Sequence, residues 1–205
     1  DAEQLATRAA EDDGISGLNS AHGAVDYFQA TDWTAVDLRY TLEVYDVKNE
    51  VVGDLVKARM TQVYDDYQPA SFDLRLVPGR EYRFVVFADF VANSSVADYN
   101  GLGLHHDITS LADIKVINDG INNEATDAYF DFEDVTVNDS TPLNMVLTRP
   151  YGKIRVIATD YAELNNNVFP GSVVVSYNAA HVVSFNAVTG AIDARTARTT
   201  TEFSA

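Results

Sequence analysis

The chain has no cysteine among its 205 residues. That excludes disulfides, thiolate zinc sites and cysteine nucleophiles. It suits a cytosolic protein, and equally an exported one that avoids thiol oxidation. Cations are scarce: 14 Lys and Arg stand against 31 Asp and Glu, for a formal net charge of −17. Phosphate backbones repel such a chain, so nucleic acid is not an expected partner. No apolar run approaches the roughly 20 residues of a membrane helix. The chain opens Asp1-Ala2-Glu3 without a signal peptide. It is expected to be a mature or trimmed product, with any lipid-anchoring cysteine upstream. Against these absences, 46% of the residues are hydrophobic, too many for a disordered chain. The length can bury one large core or two small ones.

Period-two patterning dominates what is present. Val36, Leu38, Tyr40, Leu42 and Val44 alternate with Asp37, Arg39, Thr41, Glu43 and Tyr45. This predicts a strand with one buried face. Val51 to Val56 and Arg59 to Tyr64 are shorter β-prone pieces. Phe72, Leu74 and Leu76 alternate again, before the turn signal Pro78-Gly79 and a strong strand from Glu81 to Phe90. Tyr82, Phe84, Val86 and Ala88 share one face of that strand, and 71–90 reads as a hairpin. Leu111 to Val116 reads as a short helix or strand. Tyr129 to Val137 and Leu143 to Leu147 are further strands, with Asp131 and Glu133 on the solvent side of Phe130 and Phe132. Beyond Arg149-Pro150-Tyr151-Gly152, strands are expected over Lys153 to Thr159, Ser172 to Tyr177 and His181 to Phe185, the last two joined by Asn178-Ala179-Ala180. Asn186 to Ala205 reads as a polar tail. Residues 1–32, punctuated by Gly14, Gly17 and Gly23, read as a weakly held arm. Strands without intervening amphipathic helices predict an all-β, antiparallel sandwich architecture. The expected division is an arm (1–32), a sandwich (33–149) and a short or incomplete second sandwich (150–205).

Little in the sequence carries chemistry. His105-His106-Asp107 is the most metal-like cluster, but adjacent side chains on a strand point to opposite faces. Neither Asp65-Asp66 nor Asp127, Asp131, Glu133 and Asp134 has the spacing of a calcium loop. Gly14-Ile15-Ser16-Gly17 lacks the spacing of a nucleophile elbow. Gly101-Leu102-Gly103 lacks the third glycine of a dinucleotide loop. No catalytic, cofactor-binding or metal residues are expected, no cofactor is implied, and the chain is not expected to be an enzyme. Tyr40 and Tyr82 read as core. Tyr45, Tyr64 and Tyr67 are freer, and could stack on sugars in a surface carbohydrate-binding sandwich, the alternative function. Asp139-Ser140-Thr141 resembles a short O-glycosylation sequon of Bacteroidetes, which makes Ser140 and Thr141 candidates for modification. A plain turn accounts for the same three residues.

Three segments carry a wider resemblance. They are Leu38 to Tyr45, then Leu76-Val77-Pro78-Gly79-Arg80-Glu81-Tyr82-Arg83-Phe84-Val85-Val86-Phe87-Ala88-Asp89-Phe90, then Leu147-Thr148-Arg149-Pro150-Tyr151-Gly152-Lys153-Ile154-Arg155-Val156. Together they make the chain resemble the fimbrillin-like proteins of Bacteroidales, the subunits and anchors of type V pili. The resemblance implies two tandem transthyretin-like sandwiches meeting near Arg149 to Gly152. It implies export as an outer-membrane lipoprotein and a structural or adhesion role at the cell surface. The partners would be other fimbrial subunits, met by strand exchange or edge pairing, with a host glycan or protein as receptor. Membrane contact would come only through an upstream lipid anchor. It also implies cleavage after an arginine near the N-terminus, for which Arg8 is the candidate. The chain departs from the pattern at its C-terminus, where no last strand is obvious.

Overall fold

The computed structural model describes residues 33–93, 101–117, 126–138, 141–150, 172–176, 182–195 and 200–204, with 172–176, 193–195 and 200–204 as backbone only. The expected arm 1–32 with Arg8, the strand 153–159 and Ser140 lie outside the described residues. Every named element is a strand, so the protein is all-β among these residues.

The first sheet is built from four strands: β1 (Val36–Lys48), β2 (Val51–Tyr64), β3 (Glu81–Ala92) and β6 (Ala128–Thr136). Their order is β2-β1-β3-β6, and all three pairings are antiparallel. The two β-prone pieces at 51–64 form one strand. Asn49 and Glu50 both take positive φ, 51° and 64°, in the tight turn that joins it to β1. Register shifts between Leu42 and Val47 mark irregularities that raise local twist. Gly79, at φ 76°, supplies the turn into β3, as the Pro-Gly pair predicts.

The expected hairpin over 71–90 does not form. β3 is flanked by β1 on one edge and β6 on the other, so no edge is left for residues 71–77.

The second sheet has the order β4-β5-β8-β9, from β4 (His106–Asp107), β5 (Ile114–Val116), β8 (Val182–Asn186) and β9 (Ala191–Arg195). Ile114 pairs with Phe185 and Lys115 with Ser184. Ser184 also donates its hydroxyl to Asp113 at 2.9 Å. A sandwich bounded at 149 with a second starting at 150 does not describe this pairing, because β8 joins strands from the N-terminal side of that junction. β7 (Ser172–Ser176) and β8 were expected as neighbours, but β7 pairs with β10 (Thr200–Ser204) instead. The expected polar tail from Asn186 therefore contains two strands. Gly190, at φ 70°, turns the chain from β8 into β9.

The first sheet is covered on both faces. Leu38, Tyr40, Leu42 and Val44 join Tyr82, Phe84, Val86, Ala88 and Phe90 in one core cluster, on the face the alternation predicts. Val85 and Phe87 point the other way, into a second cluster with Ile108, Leu111, Ile114, Phe185 and Val188. Arg83 ties the layers together: it pairs with Asp134 at 2.7 Å, donates to the Val188 carbonyl at 2.8 Å and lies 4.6 Å from the Phe132 ring centre. The polar face of β1, expected in solvent, is buried under the second sheet. Asp131 and Glu133 are likewise half-buried rather than solvated.

Candidate functional site

The apolar face of β1 and β3 is roofed by two extended segments, residues 71–77 and 141–147. In the first, Phe72, Leu74 and Leu76 pack on the core cluster while Ser71, Asp73, Arg75 and Val77 are exposed. In the second, Leu143, Met145 and Leu147 pack inward while Pro142, Asn144 and Val146 are exposed. This is the alternation of strands lying on a sandwich core. Yet among the described residues neither segment belongs to a ladder.

Both are pinned at their ends. Gln62 donates its side-chain amide to the Ser71 carbonyl at 2.6 Å and accepts from the Ser71 amide at 3.3 Å. The buried Tyr82 hydroxyl sits 3.3 Å from the Val77 amide and 3.4 Å from its carbonyl. Tyr40 donates its hydroxyl to the Gln68 carbonyl at 2.9 Å, which holds the turn before the first segment. Thr148 exchanges two backbone hydrogen bonds with Phe130, at 2.8 and 2.9 Å. Strand-patterned backbone that joins no ladder among the described residues is a template for pairing with a further strand.

The opposite face of the first sheet holds buried charge. Arg39 and Asp89 form a two-bond ion pair at 2.8 and 2.7 Å, and Arg39 also donates to the Gly101 carbonyl at 3.4 Å. His106 lies 3.8 Å from the same carboxylate and edge-on to Phe87 at 5.7 Å. Burial pulls the His106 pKa down to about 4, against an upward pull from Asp89. Nearby, Arg149 donates to Asp127 at 2.9 Å and stacks 5.2 Å from the Tyr129 ring centre. Tyr129 donates to Asp127 at 3.1 Å, and burial raises its hydroxyl far above the usual range. Each charge is matched by a partner, as low-dielectric surroundings require.

The residues singled out by sequence do not converge on one place. His105 is buried beside His106, whereas Asp107 turns aside to accept from Thr109 at 2.9 and 2.6 Å. No group of three metal-ligating side chains occurs among the described residues. Thr141 is exposed, and its hydroxyl accepts from the Asn138 amide at 2.8 Å in a local turn. The freer tyrosines are all engaged. Tyr45 bonds to Glu43, Tyr64 donates to Gln62 at 2.6 Å, and Tyr67 packs edge-on against Trp33 at 4.9 Å. The Arg39–Asp89 pair was not anticipated. Its one sequence signal is an opposite charge within each of two strong strands.

Neither any curated protein nor any solved structure matches the chain. One family model does match, over residues 1–205, and the chain belongs to that family of unknown function, DUF6562.

Proposed function

We propose that the protein is a structural or adhesion component of a cell-surface fimbria of the fimbrillin-like type, assembling through β-strand contacts. The observation that carries this reading is the pair of segments 71–77 and 141–147, strand-like in burial but outside any ladder among the described residues. A strand laid against either would supply main-chain hydrogen bonds and set alternate side chains on the same apolar cluster. Repeated head to tail, such a contact does not close and yields a filament. In this reading residues 33–149 and 182–192 make one transthyretin-like sandwich, and β7 with β10 belongs to a second. The work is mechanical and needs no cofactor or reaction step. Export to the outer surface and processing at Arg8 belong to the same proposal.

Limited trypsin digestion followed by size-exclusion chromatography and electron microscopy tests it. Filaments or oligomer ladders that appear after cleavage at Arg8 support a polymerising subunit. If intact and cleaved chains both stay monomeric at high concentration, assembly through strand exchange at this end is wrong.

A further inference from the structure

Among the described residues, three cations gather at one place. Where β2 passes the Pro78-Gly79 turn, a cleft of about 390 Å³ opens. Val56, Leu76 and Val77 line it with aliphatic surface, and Lys57, Arg75 and Arg80 stand around it. The cations come from β2, from the first extended segment and from the turn, so the fold gathers them. No carboxylate lines the cleft, although Asp and Glu outnumber Lys and Arg by 31 to 14 in the chain. Asp46, which feels the charge of Arg80, is taken by Lys48 at 2.7 Å. Arg75 and Arg80 are exposed, as are Val56 and Val77.

We propose that this cleft is a docking site for an extended acidic peptide of a partner protein, one that places an apolar side chain on the aliphatic floor between flanking carboxylates. Charge complementarity selects the sign: three cations line the cleft without a lining acid, on a molecule whose net charge is −17. The floor selects peptide over saccharide. Sugar rings are held by exposed aromatic faces, and the cleft's one aromatic residue, Tyr82, is buried with its hydroxyl turned to Val77. The docking site does not depend on the fimbrial reading, since it requires no filament.

Fluorescence anisotropy with a labelled peptide copying Ala128–Thr136 provides the probe, because that segment alternates aromatic side chains with Asp131 and Glu133 and adds Asp134. A second peptide carries Asn and Gln in place of those three acids. The acidic peptide should bind the full chain at least about ten-fold more tightly than the neutral one, and lose affinity as salt rises from roughly 50 to 500 mM. Arg75→Glu with Arg80→Glu should weaken it by about ten-fold or more, with the circular dichroism spectrum unchanged. Absence of binding, equal binding of the neutral peptide, or indifference to the double reversal would overturn the proposal. So would displacement of the peptide by an oligouronate of equal charge at lower concentration, which would mark a saccharide cleft.

Discussion

Arg39 and Asp89 face each other as register partners across the β1–β3 ladder, and their side chains, both 0% exposed, close a two-bond ion pair between the sheets. Removing one member leaves the other charge buried and unmatched. Asp89→Leu or Arg39→Met should therefore cost about 3–5 kcal/mol in urea denaturation. The double replacement Arg39→Met with Asp89→Leu should cost much less than the sum of the two single changes. Gly103 adds a steric probe of the same pair. A methyl there would sit 2.6 Å from an Asp89 carboxylate oxygen and 2.9 Å from an Arg39 nitrogen, so Gly103→Ala should destabilise by prising them apart. An unchanged denaturation midpoint for any of the single variants would contradict the arrangement.

His106 should make stability fall with acid. Its folded pKa, depressed by burial to about 4, lies below its ordinary value of 6.5. The unfolded chain then binds more protons between those values, so stability drops as pH falls through that window. The full effect is roughly 3 kcal/mol. Asp89 and Asp127 oppose the shift, while His105 and Arg39 reinforce it. Denaturation midpoints of the native chain and of His106→Gln, compared from pH 7 down to pH 4, should show a steeper decline in the native chain. Parallel curves would assign the acid sensitivity to other groups.

Phe84 projects into the first core cluster from the middle of β3. Phe84→Ala should cost about 3–5 kcal/mol through lost burial and the cavity it leaves. Guanidinium denaturation followed by tryptophan fluorescence is a suitable measurement, because Trp33 packs against the same cluster. A loss under about 1 kcal/mol would mean that the site collapses around the smaller side chain.

A chain ending at Pro150 should not fold as an independent sandwich. It would lack Phe185, Ala187 and Val188, which complete the cluster around Val85, Phe87 and Ile114. The expected outcome is dye-binding, aggregation-prone material without a cooperative melt. A sharp two-state transition in that fragment would show that residues 182–192 are dispensable for the first sheet.

The apolar face of the first sheet was legible because Tyr82, Phe84 and Val86 repeat with the period of the pleat. The other face was not. Arg39, Thr41 and Glu43 look like solvent-facing residues, and nothing near them in sequence reveals the cover supplied by β5 and β8. Local signals also misassigned partners. Pro78-Gly79 correctly marks a turn, but β1 and β6 had already taken both edges of β3. The roof segments were legible as alternation in Phe72, Leu74, Leu76 and Leu143, whereas their lack of a ladder is a property of the assembled sheets. The cleft was invisible, because Lys57, Arg75 and Arg80 belong to three separate stretches of chain. β9 was missed because Ala191–Arg195 is short and carries Asp193, and only the glycine turn before it hinted at a return strand.

The pairing of Ile114 with Phe185 also sets a clock on biogenesis. A ribosome adding about 5–20 residues per second needs on the order of ten seconds to travel between them. Throughout that interval Val85, Phe87 and Ile114 have been made but Phe185, Ala187 and Val188 of the same cluster have not. Until Phe185 is made, the second sheet cannot close on the first, so an apolar layer is left to be shielded by other means.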